Sequence, residues 1–186
     1  MERDPSAGVF LIESGLIKIH ITASDGTELI LGIYGRDELL CELSALERSP
    51  RSASGTGRAN GMVTEIPGAV FRAFVGRHPE ALQHVLATVR HRLQRADQER
   101  LSYLSDGVRM RVVRKLLTWA GRFGDRTAEG LVVSGFSRRD LAQSVAANEK
   151  TVDSILSSLA AEGVLTTSRE RFLLLDVELL RKWTET

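Results

Sequence analysis

The chain has 186 residues, 42% of them hydrophobic and 26% charged, which is the balance of an ordinary globular protein with one or two domains. No apolar run approaches the length that spans a membrane, and the N-terminal segment MERDPSAGVFLIES lacks the pattern of a secretion signal. The single cysteine, Cys41, cannot form an internal disulfide. These features favour a cytoplasmic protein with no membrane partner.

The net charge of +1 hides a difference between the two parts of the chain. Residues 1–106 carry 12 basic and 14 acidic residues, whereas residues 107–186 carry 13 basic and 10 acidic residues. A mildly basic C-terminal part is compatible with nucleic-acid binding, and equally with an ordinary scatter of surface charge.

Residues 9–75 are predicted to form mostly β-strands. The segments GVFLIES and LIKIHIT flank Gly15, a predicted hairpin turn. In the second segment, isoleucines at 17, 19 and 21 alternate with other residues, which predicts a half-buried strand with one strongly apolar face. A third strand, TELILGIY, is followed by an irregular segment over residues 35–55 and by a strand around MVTEI.

From Pro79 the period of the apolar residues becomes that of a helix. Over residues 79–105 they recur at alternating spacings of four and three, a heptad-like stripe. The stripe belongs either to an amphipathic helix lying on its own domain or to a coiled-coil seam between two copies of the chain. The seam is better supported, because a long helix between two domains has little else to cover it. The stripe consists of Leu82, Leu86, Val89, Leu93 and Ala96.

A break at residues 105–107 predicts a short hinge, with Asp106 as the N-cap of the next helix. The segment VRMRVVRKLLTWAGRFG predicts an amphipathic helix that ends at Gly121 or Gly124. A strand, GLVVSG, follows this helix, and DVELLRKWTET predicts a closing helix.

The segment FSRRDLAQSVAANEKTVDSILSSLAAEGVL, residues 136–165, predicts two short helices joined by a tight bend. Ser137 is a good N-cap for the first helix, with Asp140 at the third helical position, and Asn148 can cap the second. This spacing is that of the helix-turn-helix, in which one helix braces on the DNA backbone and the next enters the major groove.

A small hairpin is predicted directly after these helices, from TTSRERFLLLD. Arg169 and Arg171 lie at its tip, where a wing can touch phosphate. A helical hairpin that binds nothing would explain the apolar positions, but not the arginine-tipped hairpin that follows.

Residues 136–165 resemble the winged helix of the Crp-Fnr (catabolite-activator/fumarate-nitrate) superfamily of bacterial regulators. The preceding HRLQRADQERLSYLSDGVRMRVVRKLLTWA resembles its dimer helix, hinge and first DNA-domain helix, and GVFLIESGLIKI extends the resemblance into the strand domain. The resemblance implies an α+β fold with a cyclic-nucleotide-binding-like β jelly roll, a long dimerisation helix and a C-terminal winged helix-turn-helix. The corresponding domains are residues 1–78, 79–105 and 106–186.

The resemblance also implies a homodimer that binds a roughly two-fold symmetric operator in double-stranded DNA, with RNA polymerase as a further candidate partner. The family's opening helix and first strands have no counterpart before Gly8. The jelly roll is therefore either truncated or preceded by a start that lies upstream.

The second helix departs from the family at the positions that read bases. Many members place arginine, glutamate and a second arginine where this chain has Glu149, Lys150 and Ser154. Arginine reads guanine, whereas glutamate accepts only from cytosine N4, so we do not expect the family's usual operator. The hypothesis is that Asn148, Lys150 and Glu149 read bases; alternatively, Glu149 pairs with Arg138 or Lys150 and reads nothing. The backbone contacts are assigned to Ser137, Arg138, Thr151, Arg169 and Arg171.

The segment ELLCELSALERSPRSAS resembles the family's phosphate-binding cassette. Glu42 matches the ribose-binding glutamate, Arg51 matches the phosphate-binding arginine, and Ser52 adds a hydroxyl. The implied effector is a cyclic nucleotide such as cyclic AMP, although no cofactor is certain. The alternative is a vestigial pocket in which Glu42 and Arg51 form a structural ion pair.

Two substitutions argue against cyclic AMP. The usual glycine before the glutamate is Cys41, whose side chain crowds the approach of phosphate to the backbone. Ala96 and Asp97 stand where cyclic-AMP-binding members have adjacent hydroxyl residues. Cys41 also falls where a haem-dependent member has its thiolate ligand, but that member's histidine is Leu43 here, and one cysteine is too few for an iron–sulfur cluster.

The sequence contains no Gly-rich phosphate loop, nucleophile elbow, HExxH or paired CxxC motif, so we do not expect an enzyme. The remaining alternative to a regulator is a dimeric ligand- or protein-binding module whose helix-turn-helix no longer binds DNA. Its support is the acidic character of the second helix, at Glu149 and Asp153.

Overall fold

The computed structural model describes residues 8–58 and 60–185, which divide into two compact units at Arg100 and Leu101. The first unit begins with strands and ends with helices. Its elements are β1 Val9–Ser14, β2 Ile17–Thr22, β3 Glu28–Tyr34, β4 Leu39–Leu40, α1 Glu42–Glu47, β5 Ser54–Gly57, β6 Met62–Ile66, α2 Gly68–Arg77 and most of α3 Pro79–Ser105.

The six strands of the first unit form two antiparallel sheets, in the orders β4-β1-β6 and β3-β2-β5. Gly15, between β1 and β2, has a φ of 82°, so the chain does turn at this glycine. The predicted hairpin is wrong, however, because β1 and β2 belong to different sheets and do not pair with each other. The segment expected to be irregular contains β4, α1 and the first half of β5. β4 and β5 are edge strands of the two sheets, and α1 lies between them in the chain.

The more buried face of β2 is the opposite of the one that alternation predicted. Lys18 and His20 are buried, whereas Ile17, Ile19 and Ile21 are half-buried. Polar partners make this burial possible, because Lys18 Nζ donates to Glu28 Oε2 over 3.1 Å and His20 Nε2 lies 3.2 Å from Thr56 Oγ1.

The prediction of strands up to residue 75 is wrong for its last part, where α2 forms. Phe71 and Val75 lie one turn apart on this helix, and both are buried with Val9, Ala45 and Val85 in one apolar cluster. A short run of β-branched and aromatic residues suits either a strand or a buried helix, and packing against α1 and α3 decides it here.

Helix α3 divides its apolar residues between two faces. Val85 is buried in the cluster of the first unit, and Ala81 and Val89 pack against that cluster. By contrast, Leu86 and Leu93 are 58% and 56% exposed. The helix therefore does rest on its own domain, by a row of residues that shares only Val89 with the predicted stripe. Leu82, Leu86 and Leu93 of the predicted stripe remain exposed.

The second unit contains the end of α3 and eight further elements. They are α4 Val108–Phe123, β7 Asp125–Thr127, β8 Gly130–Ser134, α5 Arg138–Ser144, α6 Glu149–Ala161, β9 Leu165–Ser168, β10 Arg171–Leu174 and α7 Val177–Thr184. The four strands form one antiparallel sheet in the order β7-β8-β10-β9.

The core of the second unit is aromatic and aliphatic. Trp119 of α4 stacks on Phe136 with ring centroids 4.4 Å apart, and Phe172 of β10 lies beside it at 6.4 Å. The predicted end of α4 at Gly124 is confirmed, but Asp106 is not its N-cap. Gly107 takes that position, and the Asp106 carboxylate instead accepts from Arg114 Nε over 3.0 Å.

Candidate DNA interface and effector cavity

Helix α5 begins with a capping box, as the sequence predicted. The Ser137 hydroxyl accepts from the backbone N–H of Asp140 over 3.1 Å, and the Asp140 carboxylate accepts from the backbone N–H of Ser137 over 2.8 Å. The Ser137 hydroxyl also donates to that carboxylate over 2.6 Å. The structure thus gives the Ser137 side chain a local role at the start of the helix.

The bend after α5 leads into a second cap. Ala146 adopts a left-handed conformation with φ 49°, which turns the chain within a few residues. Asn148 Oδ1 then accepts from the backbone N–H of Thr151 over 2.7 Å, so the predicted cap of α6 is confirmed. The amide nitrogen of the exposed Asn148 side chain is not used by this cap.

The front of α6 presents the predicted base-reading residues to solvent. Asn148, Glu149, Lys150 and Ser154 are all exposed, and Thr151 is half-buried. The buried face of the same helix consists of Val152, Leu156 and Leu159, which anchor it to the unit. We call α6 the reading helix from here on.

Arg138, at the start of α5, has a partner on the reading helix that the sequence did not suggest. Its Nη1 donates to Asp153 Oδ1 over 3.1 Å, and its Nη2 donates to Thr167 Oγ1 over 2.8 Å. Arg138 is therefore paired with Asp153 and not with Glu149, and the alternative of a Glu149–Arg138 pair is wrong.

The wing is a tight hairpin of β9 and β10, in which Ser168 pairs with Arg171. Arg169 and Glu170 form its two-residue turn, and Glu170 has a φ of 52°. The carbonyl of Glu170 accepts from the backbone N–H of Gly135 over 2.9 Å, which ties the turn to the chain just before α5. Arg169 and Arg171 are exposed on this hairpin, as predicted.

In the first unit, the cassette turns into α1 at a strained residue. Cys41 is the N-cap of α1 with φ 66° and ψ 16°, a left-handed conformation that glycine adopts with least strain. Partial burial raises the pKa of the Cys41 thiol, against a smaller opposing effect of the Arg51 charge. The thiol is therefore a poor nucleophile at neutral pH.

Glu42 is buried and already has a cationic partner. Its Oε1 accepts from Arg92 Nη1 over 2.5 Å, and Arg92 Nη2 donates to the carbonyl of Leu39 over 2.6 Å. The Arg92 guanidinium also lies over the ring of Tyr34, 4.7 Å from its centroid. A structural ion pair of Glu42 does exist, but its partner is Arg92 of α3, where the sequence suggested Arg51.

A cavity of about 150 Å³ brings the predicted effector residues together. Cys41, Glu42, Arg51 and Ser52 all line it, with Arg92 on a further side. The Arg51 guanidinium lies 4.6 Å from the centroid of the Phe10 ring, which holds it at the cavity wall. Two arginines and a serine hydroxyl are donors that suit a phosphate group. The volume is below the roughly 300–1,000 Å³ of typical small-molecule sites.

Among residues 8–58 and 60–185, no group of three or more histidine, cysteine, aspartate or glutamate side chains is placed to hold a metal ion. No helix in the same part of the chain is long and apolar enough to cross a membrane.

Each of the two units contains a segment that matches a known protein family. Residues 1–78 match the cyclic nucleotide-binding domain family, and residues 110–183 match the Crp-like helix-turn-helix domain family. The chain belongs to the Crp-Fnr family. This Crp-Fnr protein is a DNA-binding transcription regulator and not an enzyme, as the sequence predicted.

Two relatives of this Crp-Fnr protein cover most of its length. A CRP-like cAMP-activated global transcriptional regulator from Mycobacterium tuberculosis is 29% identical over 182 residues, which are 97% of this chain and 81% of that protein. A cyclic AMP receptor protein from Thermus thermophilus is 29% identical over 163 residues, 87% of this chain and 72% of that protein.

Solved structures share its fold. A CRP-family transcriptional regulator from Thermus thermophilus superposes with a TM-score of 0.85 at 21% identity, over 100% of this chain and 92% of that one. FixK2 from Bradyrhizobium japonicum gives a TM-score of 0.84 at 20% identity, over 97% and 89% of the two chains.

Proposed function

We propose that this Crp-Fnr regulator acts in the cytoplasm as a homodimer on a two-fold symmetric operator. The observation that carries the proposal is the arrangement of the second unit. The reading helix has a capped, solvent-exposed front, and the arginine-bearing turn of the wing follows it in the chain. A helix front for the major groove and a wing for phosphate are the two parts that sequence-specific binding requires.

The dimer is proposed to form along α3. Leu82, Leu86 and Leu93 follow the heptad-like spacing and are 37%, 58% and 56% exposed. Complete burial of a leucine contributes about 1.5–3 kcal/mol, so covering this row on two chains would stabilise a dimer substantially. Leu101 and Leu104, near the end of the same helix, are exposed as well.

Two copies related by a two-fold axis would present two reading helices to one face of DNA. We expect the half-sites to lie about 34 Å apart, one turn of the duplex.

The contacts of each reading helix are divided between bases and backbone. We assign Asn148, Glu149 and Lys150 to base edges, and Thr151, Arg169 and Arg171 to the backbone. Glu149 adds a preference for cytosine, because its carboxylate can only accept hydrogen bonds. The DNA-bound dimer is proposed to contact RNA polymerase.

A cyclic nucleotide is the proposed effector. Its phosphate would accept from Arg51 and Ser52, and its ribose hydroxyl would donate to Glu42, which Arg92 holds in position. The names of the two relatives support this class of ligand. The cavity, at about 150 Å³, is smaller than typical small-molecule sites, so we expect the cassette to rearrange when a nucleotide binds.

Sedimentation of the protein with duplex DNA tests the dimer. We expect two chains per duplex for the wild type and one chain or none for Leu93→Glu, which places a charge in the proposed seam. Gln94→Glu adds the same charge at the neighbouring exposed position of α3 and should remain dimeric. If both variants stayed dimeric, the seam would lie elsewhere.

A further inference from the structure

Arg138 connects three elements of the winged helix through one guanidinium. It is the first residue of α5, it donates to Asp153 of the reading helix over 3.1 Å, and it donates to Thr167 of the wing strand β9 over 2.8 Å. One of the cations assigned to the DNA backbone is therefore paired with a carboxylate at the protein surface. We call Arg138, Asp153 and Thr167 the arginine clamp.

The clamp contributes little to the stability of the fold. The side chains of Arg138 and Asp153 are 44% and 42% exposed, and ion pairs that exposed contribute about 0.2–1 kcal/mol. Asp153 also stands four residues after Glu149 on the same helix, and two like charges at that spacing are unfavourable. Neither helix stability nor the core explains a carboxylate at this position.

Asp153 instead reduces the positive charge that Arg138 presents to the phosphates of DNA. A protein gains affinity for DNA by neutralising phosphates and releasing their counterions. While Asp153 pairs with Arg138, its carboxylate occupies one hydrogen of Nη1 and offsets the guanidinium charge that a phosphate would otherwise meet. A phosphate at Arg138 must therefore either displace the carboxylate or share the guanidinium with it, and in both cases the attraction is weaker than for an arginine without an acidic neighbour.

We propose that Asp153 sets the strength of DNA binding by withholding Arg138 from the phosphate backbone, an inference that rests on the proposed DNA-binding function. The clamp lowers affinity for all duplex DNA, since phosphates carry no sequence information. DNA binding at neutral pH is therefore weaker than it would be if every arginine and lysine of this surface contacted phosphate. The affinity also depends less steeply on salt concentration.

The test is a double-mutant cycle of Asp153→Asn and Arg138→Gln, measured on random-sequence duplex DNA over a series of salt concentrations. Asp153→Asn should bind about fivefold more tightly at ~0.1 M salt, the effect of one exposed charge contact. Its log–log salt dependence should be steeper by about 0.9, the slope of one further phosphate contact. In a protein that already carries Arg138→Gln, Asp153→Asn should change neither the DNA affinity nor its salt dependence.

Glu129→Gln is the matched control, because it removes one negative charge from the exposed turn between β7 and β8. It should leave the salt dependence unchanged. Thermal unfolding of every variant confirms that each is folded.

Two results would overturn the clamp. An equal gain from Asp153→Asn with and without Arg138 would mean that Asp153 only repels DNA. A loss of affinity in Asp153→Asn would mean that Asp153 positions Arg138 for phosphate instead of withholding it. If none of the four proteins of the cycle showed salt-dependent binding, the DNA-binding function would fail together with the clamp, and this result is distinct from the other two.

Discussion

Arg92 and Glu42 form a short ion pair in the first unit, with Arg92 Nη1 and Glu42 Oε1 2.5 Å apart and the Glu42 side chain only 4% exposed. The pair joins helix α3 to the first turn of α1 across 50 positions of sequence. The carboxylate assigned to the effector is therefore directly connected to the helix assigned to the dimer. We propose that an effector that shifts Glu42 would act on α3 through Arg92.

Replacing Arg92 by methionine should destabilise the protein by about 2–3 kcal/mol, because the buried Glu42 carboxylate loses its counter-charge. The double variant Glu42→Gln with Arg92→Met should recover part of that loss, since no buried charge remains. Urea unfolding measures both values. Arg95→Met, three residues further along α3, is the control and should cost less than about 0.5 kcal/mol. Equal losses for the two arginines would contradict the assigned role of the pair.

Replacing Cys41 by glycine should raise the free energy of unfolding by about 1 kcal/mol, because glycine adopts the left-handed conformation at φ 66° without strain. It should also strengthen cyclic AMP binding in calorimetry by removing a side chain from the small cavity. Cys41→Ala keeps the strain and serves as the comparison. If alanine and glycine stabilised the protein equally, strain at this residue would not be the cause.

Asn148 has two assigned roles that substitutions can separate. Asn148→Ala removes the cap of the reading helix and should cost about 1 kcal/mol of stability. Asn148→Asp keeps a capping oxygen for the Thr151 N–H, so stability should be retained, while the added negative charge weakens DNA binding. Chemical unfolding and DNA titration on the same samples compare the two. If Asn148→Asp left the DNA affinity unchanged, Asn148 would not be part of the DNA interface.

Glu149 should determine the base preference of the reading helix. Glu149→Arg converts an acceptor into a bidentate donor, so the preferred base should change from cytosine to guanine at one position of each half-site. Selection from random duplexes compares the two motifs, with Ser157→Arg as a control that introduces an arginine about two turns further along the helix. An unchanged motif would show that Glu149 reads nothing.

Stability should fall in acid partly through Glu162. Arg109 donates to both of its carboxylate oxygens, over 2.9 and 2.7 Å, and this pairing, with a hydrogen bond from Ser158, lowers the pKa of Glu162. A carboxyl whose pKa is lower in the folded state stabilises the protein above its ordinary pKa, and the effect is lost as pH falls through the lowered value. Glu162→Gln should lower the melting temperature at pH 7 but not at about pH 2. An equal deficit at both pH values would contradict this.

The parts of the fold that local chemistry determines were predictable from the sequence. The caps at Ser137 and Asn148 depend on residues three positions apart, so the boundaries of α5 and α6 follow from short segments. The wing was predictable for the same reason, since its turn and both strands lie within ten residues. The family resemblance supplied the order of the domains along the chain.

The parts that depend on distant contacts were not predictable. Arg92 meets Glu42, and Arg138 meets Thr167, across 50 and 29 positions, and no local signal marks either pair. Helix α2 was missed because burial of Phe71 and Val75 overrides the strand preference of its residues. Asp106 was misassigned as a cap because its carboxylate pairs with Arg114 instead.

Selection of random duplex DNA by the purified protein, with and without cyclic AMP, is the decisive test of the proposed DNA-binding function. We expect enrichment of a two-fold symmetric motif whose half-sites are one duplex turn apart. Enrichment in both conditions would mean that DNA binding does not depend on the cavity, and enrichment only with cyclic AMP would mean that the cavity controls it. No enriched motif in either condition would contradict the claim and favour a dimeric module whose helix-turn-helix no longer binds DNA.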